Sequence, residues 1–202
     1  MNKVKIKICG LCRLEDIDAV NYAMPDYIGF VFAKSKRQIG KKMAATLKKK
    51  LDQHIPAIGV FSNQPIAFIT DLYQNGIIDG IQLHGAEEDE YIRRLRRSCQ
   101  CKIIKSVSID NKLPVLPKAA DYLLFDTASE QGGGTGKPFN WNILANYQGP
   151  PYFLAGGLTS ENISDALRHL LPFSVDVSSG VETSGVKDLN KINNFVQMVR
   201  RL

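Results

Sequence analysis

The chain has 202 residues, of which 44% are hydrophobic and 23% are charged, values typical of a globular protein with one well-buried core. The net charge is +6, but the basic residues lie in helix-like segments, one of them beside acidic residues 87–90. No basic motif is interleaved with aromatic residues, so we expect no nucleic-acid partner. The N-terminal segment lacks an apolar stretch long enough for a signal peptide or a membrane span, which predicts a cytoplasmic protein without a membrane partner.

Short apolar runs bounded by turn residues predict eight strands, at 3–9, 27–32, 56–61, 79–84, 102–107, 121–126, 151–155 and 174–178. Segments with helical spacing alternate with most of them, at 14–23, 41–53, 65–75, 87–98, 161–170 and 188–201. The fifth and sixth connections carry prolines at 114 and 117 and a glycine run at 132–134, so we expect them to be abbreviated. This alternation predicts parallel βαβ units in a single domain spanning residues 1–202.

No G-x-G-x-x-G motif follows the first strand, which favours closure into an α/β (β/α)8 TIM barrel of near-minimal length over an open doubly wound sheet. Active sites of such barrels lie at the C-terminal ends of the strands. The residues at those ends are Cys9, Phe32, Phe61, His84, Val107, Asp126, Gly156 and Ser178–Ser179.

Two glycine-rich turns follow the last two strands, L-A-G-G-L at 154–158 and D-V-S-S-G-V-E at 176–182. Glycines let backbone N–H groups approach an anion closely, and a helix N-terminus behind them adds a positive dipole. Such barrels bind a substrate's phosphate in their last two units. The turns therefore predict a phosphorylated small molecule as the substrate.

Cys9 and Asp126 end different strands and supply one candidate base and one candidate acid. A buried structural thiol and a helix N-cap are the alternatives. A free Cys has a pKa near ~8.5 and a free Asp near ~3.9, the reverse of what base and acid need at neutral pH. Either burial raises the pKa of Asp126 while Lys7 and helix N-termini lower that of Cys9, or the active protonation state is a minor one.

Two further side chains are candidate substrate contacts. Gln82 and His84 share one face of the fourth strand, and we expect either a buried polar pair or a contact with the substrate. Arg37, in the loop A-K-S-K-R-Q at 33–38, has the fork geometry that holds a carboxylate. The alternative for Arg37 is a solvated loop residue.

Lys7 shares one face of the first strand with Cys9, so both point into the barrel if Cys9 does. Barrel closure makes the first and eighth strands neighbours, and a buried lysine is tolerated mainly when paired. We therefore predict an ion pair between Lys7 and Asp176 beneath the site. The alternative is a lysine that reaches solvent past the barrel rim.

The four cysteines, at 9, 12, 99 and 101, do not suggest a metal site. Cys9 ends a strand, whereas Cys99 and Cys101 precede one, so the two groups lie at opposite ends of the barrel. We expect Cys99 and Cys101 to be structural thiols in a reducing compartment.

Over nearly the whole chain, the motifs and their order resemble the phosphoribosylanthranilate isomerase family of tryptophan biosynthesis. They are K-I-C-G at 7–10, I-G-F-V-F at 28–32, S-K-R at 35–37, G-V-F at 59–61, I-Q-L-H-G at 81–85, F-D at 125–126, G-G-T-G-K at 133–137 and the two glycine-rich turns. The resemblance implies isomerisation of N-(5-phosphoribosyl)anthranilate to an aminodeoxyribulose phosphate by an Amadori rearrangement, with no cofactor and no metal. We expect a monomer or a homodimer.

Carried over by position, the resemblance makes Cys9 the general base, Asp126 the general acid and Arg37 the residue that holds the anthranilate carboxylate. The phosphate turns contain Gly156, Gly157, Ser179 and Gly180, whereas His84 and Asp176 either bind substrate or are structural. Two positions depart from the family pattern, Cys12 where threonine is usual and Gln38 where an aromatic residue is common.

Two other readings compete with this one. The first is another phosphate-handling barrel, such as the histidine-pathway sugar isomerase, which would need an acidic residue where Cys9 stands, or indole-glycerol-phosphate synthase. The second is a non-catalytic phosphosugar-binding protein, which would tolerate Cys9→Ser.

Overall fold

The computed structural model describes residues 3–127 and 138–202. Eight parallel strands pair in chain order and close into a barrel through β1 and β8, so the predicted TIM barrel is confirmed. The strands are β1 (Lys5–Cys9), β2 (Tyr27–Val31), β3 (Ala57–Phe61), β4 (Gly80–Leu83), β5 (Ile103–Ile109), β6 (Tyr122–Thr127), β7 (Tyr152–Leu154) and β8 (Ser174–Val177). The flanking helices are α1 (Leu14–Ala23), α2 (Lys41–Lys50), α3 (Ile66–Gln74), α4 (Asp89–Arg96), α5 (Ile163–His169) and α6 (Leu189–Arg201).

The fifth connection and the described part of the sixth are short of helix, as predicted. Residues 110–121, all described, contain no helix between β5 and β6, and the described part of the next connection holds only a 3-10 turn at Trp141–Leu144. The prolines at 114 and 117 lack an N–H donor and push the preceding residue away from helical angles. The glycine run at 132–134 and the motif at 133–137 lie outside the described residues. No helix in the described ranges is long and apolar enough to cross a bilayer.

The predicted helix at 87–98 begins later, at Asp89, because Glu87 turns inward instead of joining a solvated face. Glu87 is 5% exposed. Its carboxylate accepts hydrogen bonds from the backbone N–H groups of Asn63 at 2.6 Å and Gly85 at 2.9 Å, and it lies 3.5 Å from Lys105 Nζ. A buried carboxylate needs such partners. Glu87 is therefore not part of a solvated helix face.

Side chains along each strand alternate between the barrel interior and the helix layer. On β6, Leu124 packs inside with Ile58, Ile104 and Phe153, whereas Phe125 packs outward into the core beneath the helices. At the N-terminal end of the barrel, Lys5 Nζ lies over the rings of Tyr27 and Phe173, at 5.5 and 5.2 Å from their centroids. Side chains thus fill the barrel interior at the N-terminal ends of the strands, which leaves space at the C-terminal ends.

The same alternation turns three predicted strand-end residues away from the barrel mouth. Phe32 and Phe61 stack with their ring centroids 5.2 Å apart, and each meets Phe68 of α3 edge-on. Val107 also belongs to the core beneath the helices, and Ser106 and Ser108 take the inward positions on β5. Only every second residue of a strand can face the interior, so Phe32, Phe61 and Val107 lie at or near strand ends, as predicted, but face the helix layer.

Candidate active site

A cavity of about 380 Å³ occupies the C-terminal end of the barrel. Its lining includes all the predicted site residues except Gly180. The lining residues are Cys9, Val31, Ala33, Lys34, Ser35, Arg37, Val60, Ser62, Gln82, His84, Ser108, Asp126, Thr127, Ala155, Gly156, Gly157, Leu158, Asp176, Ser178 and Ser179. Barrel closure therefore brings side chains from most of the strands into one space.

Lys7 and Asp176 form the ion pair that the sequence predicted. They are register partners on β1 and β8, and Lys7 Nζ lies 3.0 Å from both Asp176 carboxylate oxygens. Lys7 is fully buried. Burial lowers the pKa of Lys7, but the adjacent Asp176 and Cys9 outweigh it, so the pKa is raised and the ammonium stays charged. A positive charge is thereby fixed at the floor of the cavity.

Cys9 sits beside this ammonium in a space left by Gly29. A Cβ atom at Gly29 would lie 2.7 Å from Cys9 Sγ and 3.2 Å from Lys7 Nζ. Burial raises the pKa of the Cys9 thiol, although Lys7 acts in the opposite direction. Lys7 thus acts in the predicted direction, but burial has the larger effect, which favours the alternative in which the active protonation state is a minor one.

The pKa of the Asp126 carboxyl group is raised above its ordinary value. Burial, followed by the nearby charge of Asp176, raises its pKa to about 6, against an opposing hydrogen bond from the Thr127 N–H at 2.8 Å. This confirms the expected upward shift. Gly156, at φ +85°, approaches closely, since a Cβ there would lie 3.1 Å from Asp126 Oδ1. Asp126 can therefore hold or release a proton near neutral pH.

His84 lies on the same face as Gln82 and is neutral. Burial, with the charges of Lys105 and Lys7, lowers its pKa to about 4. Gln82 Nε2 lies 3.2 Å and Ser106 Oγ 2.8 Å from His84 Nδ1. An amide nitrogen only donates, so Nδ1 accepts and the ring proton is on Nε2, 3.8 Å from Asp126 Oδ2. His84 thus brings an N–H donor to the cavity beside Asp126.

The two glycine-rich turns pack against each other. Gly156 and Gly157 both have positive φ, and a Cβ at Gly180 would overlap the Leu158 carbonyl. Gly180 therefore permits the close approach of the turns rather than lining the cavity, and its part in phosphate binding stays a prediction. Within the described ranges, the backbone N–H groups of Gly157 and Ser179 have no hydrogen-bond acceptor. Such free donors are what a phosphate requires.

The helices predicted behind these turns do not begin directly after them. The chain reaches α5 at Ile163 only after a further turn, and a 3-10 turn at Ser179–Val181 follows β8. A hairpin of β9 (Glu182–Thr183) and β10 (Val186–Lys187) then leads to α6. Backbone N–H groups of the turns, more than a long helix dipole, are therefore the donors available to a phosphate here.

Arg37 reaches the cavity, but its fork already has a partner. Nε and Nη2 donate to the two carboxylate oxygens of Glu182, at 2.6 and 2.9 Å. Lys187 Nζ also contacts Glu182, at 2.6 Å, and donates to the Ser178 carbonyl at 2.9 Å. Sequence reasoning missed Glu182 and Lys187. Glu182 ends a quoted motif, whereas the burial of Lys187 leaves no signal in the sequence.

The two departures from the family pattern are accommodated locally. Gln38 Nε2 donates to the Phe32 carbonyl at 3.0 Å, which ties down the loop that carries Arg37. The Cys12 N–H donates to Asp16 Oδ2 at 2.9 Å, at the start of α1. Neither side chain lines the cavity.

Comparisons with known proteins agree with this geometry. The family model described as N-(5'-phosphoribosyl)anthranilate (PRA) isomerase matches residues 6–198. An N-(5'-phosphoribosyl)anthranilate isomerase of Endomicrobium trichonymphae is 47% identical over 199 residues, which cover 98% of this chain and 99% of the relative.

Two crystal structures superpose over 98% of this chain and 100% of their own. One is the phosphoribosyl anthranilate isomerase of Thermotoga maritima, with a TM-score of 0.86 and 32% identity. The other is a phosphoribosyl anthranilate isomerase in complex with reduced 1-(o-carboxyphenylamino)-1-deoxyribulose 5-phosphate, with a TM-score of 0.83 and 31% identity. With the family model, the sequence relative and the barrel all in agreement, this chain belongs to the phosphoribosylanthranilate isomerase family.

Proposed function

We propose that this chain converts N-(5-phosphoribosyl)anthranilate to 1-(2-carboxyphenylamino)-1-deoxyribulose 5-phosphate, a step of tryptophan biosynthesis, with Asp126 as general acid and Cys9 as general base. The observation that carries the assignment of roles is the environment of Asp126. Its pKa of about 6 gives the carboxyl group a usable proton near neutrality, in the same cavity as the Cys9 thiol. Family membership supports the reaction itself.

The reaction begins with two proton transfers, at the furanose ring oxygen and at C2, which are both bonded to C1. Asp126 protonates the furanose ring oxygen, the C1–O bond breaks, and the nitrogen lone pair forms an iminium at C1. The iminium acidifies the C2 hydrogen, which the Cys9 thiolate removes to give an enolamine. Tautomerisation of the enolamine adds a proton at C1 and removes one from the C2 hydroxyl, which yields the ketone. Cys9 then gives up its proton and Asp126 regains one by exchange with solvent, so both residues return to their starting states. The hydrogen count is unchanged, so the isomerisation requires no external oxidant or reductant.

The protonation state that reacts, with Asp126 protonated and Cys9 ionised, is a minor one. At pH 7 a carboxyl group with a pKa of about 6 is protonated in roughly a tenth of the molecules, and the raised pKa of Cys9 makes its thiolate scarce. A minor state still supports turnover, because both groups are already positioned and a strong base reacts faster once formed. Lys7 supplies the neighbouring positive charge that stabilises the thiolate.

Substrate orientation follows from two groups of residues around the cavity. Gly156, Gly157 and Ser179, with Gly180 behind them, lie where the phosphate would bind, and Arg37 lies where the anthranilate carboxylate would bind. His84 and Asp176, which line the same cavity, face the sugar in the proposed arrangement. Asp126 on β6 and Cys9 on β1 then approach the sugar from different directions, since β7 and β8 separate the two strands.

The function is tested by the loss of anthranilate-type fluorescence when purified protein meets phosphoribosylanthranilate. Cys9→Ala and Asp126→Ala should each reduce turnover by about 10²–10⁴-fold and largely retain binding of the reduced product analogue. A protein that binds the analogue but never changes the fluorescence would instead be a phosphosugar-binding protein. Turnover at the wild-type level in Cys9→Ala would remove Cys9 as the base.

We also propose a cytoplasmic location, a single catalytic domain over residues 1–202 and a monomer or homodimer. Light scattering of the purified chain measures the number of subunits. Limited proteolysis that releases a stable fragment would contradict the single domain.

A further inference from the structure

Two contacts from outside its own loop fix the side chain of Arg37. Glu182 accepts from Nε at 2.6 Å and from Nη2 at 2.9 Å. On another side, the side chain crosses Gly10, where a Cβ would lie 2.5 Å from Arg37 Cδ. Gly10 also has a φ of +84°, which other residues adopt rarely. The guanidinium is therefore held in one orientation before any ligand binds.

As far as the described residues go, one edge of the Arg37 guanidinium remains for a ligand. The edge formed by Nε and Nη2 is occupied by Glu182, and among the described residues no group accepts from Nη1. A guanidinium has five N–H donors in a fixed plane, and the edge formed by Nη1 and Nη2 can also bind a carboxylate through two parallel bonds. Because Arg37 lines the cavity, this second edge is the one available to an anion there.

Glu182 is itself held by the hairpin that carries it. Glu182 on β9 and Lys187 on β10 are register partners, and Lys187 Nζ lies 2.6 Å from Glu182 Oε1. The connecting Ser184 and Gly185 both have positive φ, which is typical of a tight type I′ turn. Burial raises the pKa of Glu182, but the hydrogen bonds and charges of Arg37 and Lys187 outweigh it and lower the pKa, so the carboxylate is ionised.

Charge balance indicates what the cluster of Arg37, Glu182 and Lys187 can accept. Two cations and one carboxylate leave one net positive charge, matched to one anionic group. Without Glu182 the cations would attract any anion more strongly, but the plane of the guanidinium would be free to rotate. Glu182 thus weakens the nonspecific attraction of anions and makes the Arg37 guanidinium selective for anions that match its plane.

We propose that Glu182 is a positioning residue that holds Arg37 by one edge so that the other edge selects ligands with a carboxylate on the aromatic ring. This inference rests on the proposed function, because it takes the anthranilate ring to bind on the Arg37 side of the cavity. Glu182 does not touch the reacting atoms. Its effect should therefore appear in ligand selectivity and in KM, and leave kcat nearly unchanged.

The test compares two ligands by calorimetry: the reduced product analogue and the same compound without the ring carboxylate. Glu182→Gln should reduce the preference for the carboxylated ligand at least about tenfold, with the affinity for the other ligand unchanged or slightly higher. Glu182→Asp should restore part of the preference, because the charge remains but the reach is shorter. Arg37→Lys should lose most of it, because an ammonium cannot offer two edges.

Asp71→Asn is the matched control, since it removes a carboxylate from an exposed ion pair with Lys41 outside the barrel, and it should keep the wild-type preference. An unchanged preference in folded Glu182→Gln overturns the inference, as does an equal loss of affinity for both ligands in Glu182→Gln and Glu182→Asp. A wild-type enzyme that isomerises the substrate without preferring the carboxylated ligand also overturns it. A wild-type chain that binds neither ligand and shows no turnover contradicts the proposed function instead.

Discussion

Lys7 Nζ lies 3.0 Å from each carboxylate oxygen of Asp176, and this buried pair joins β1 to β8 where the barrel closes. The pair also sets the electrostatics of the site. The charge of Asp176 raises the pKa of both Cys9 and Asp126, whereas the charge of Lys7 lowers both. The two residues therefore link the stability of the barrel to its acid–base chemistry.

Breaking this pair from one side should destabilise the fold strongly. Lys7→Met and Asp176→Asn should each lower the free energy of unfolding by about 3 kcal/mol, because each leaves a buried charged group without its partner. The double variant should lose clearly less than the sum. Urea unfolding of all four proteins measures the coupling. The exposed pair Arg168 and Asp165 serves as the control, with an expected coupling below about 1 kcal/mol, and additive losses at Lys7 and Asp176 would contradict a buried ion pair.

Asp126→Asn should stabilise the protein, increasingly so as the pH rises. The folded pKa of Asp126 is raised from 3.8 to about 6, so burial favours its neutral form. That favourable contribution is complete below about pH 4 and is lost as the pH rises through about 6. Relative to its value at pH 4, the stability advantage of the variant at pH 7 should therefore be larger by on the order of 1–3 kcal/mol. Thermal unfolding at pH 4 and pH 7 checks this, and an advantage that shrinks with pH would show that the pKa is not raised.

Gly29→Ala should displace the Cys9 thiol and reduce kcat. The new Cβ would lie 2.7 Å from Cys9 Sγ, below normal contact, and a shift of about 1 Å at a reacting group costs on the order of 10²-fold in rate. Gly40→Ala is the control, because nothing lies within 4 Å of a Cβ there. Turnover measured by fluorescence should fall in Gly29→Ala alone. If both variants keep wild-type turnover, the thiol does not need the space beside Gly29.

Gly180→Ala should separate the two glycine-rich turns. Its Cβ would overlap the Leu158 carbonyl and lie 3.2 Å from Thr159 Cα, so the backbone N–H groups that we propose to bind the phosphate must move. We expect KM and the inhibition constant of inorganic phosphate to rise together, by about tenfold or more. Steady-state kinetics with phosphate as inhibitor tests this. A higher KM without weaker phosphate inhibition would place the phosphate elsewhere.

The amino-acid sequence determined the barrel and most of the residues around its mouth. Eight apolar runs alternate with helical segments, and parallel strands place their C-terminal ends together, so Cys9, His84, Asp126 and the glycine-rich turns were predictable as neighbours. Alternation along β1 and β8 was also enough to predict the pair of Lys7 and Asp176. These features follow from local periodicity and from the topology of closure, which short sequence patterns encode.

Only the tertiary structure decided the protonation and the contacts of each of these side chains. The net direction of the Cys9 pKa depends on whether burial or Lys7 has the larger effect, and burial is a sum over the whole fold. The hydrogen bond from Asn63 to the buried Glu87 carboxylate and the bond from Arg37 to Glu182 likewise join residues from distant segments. Protonation, orientation and selectivity arise from distances between such segments, and no local pattern in the chain specifies those distances.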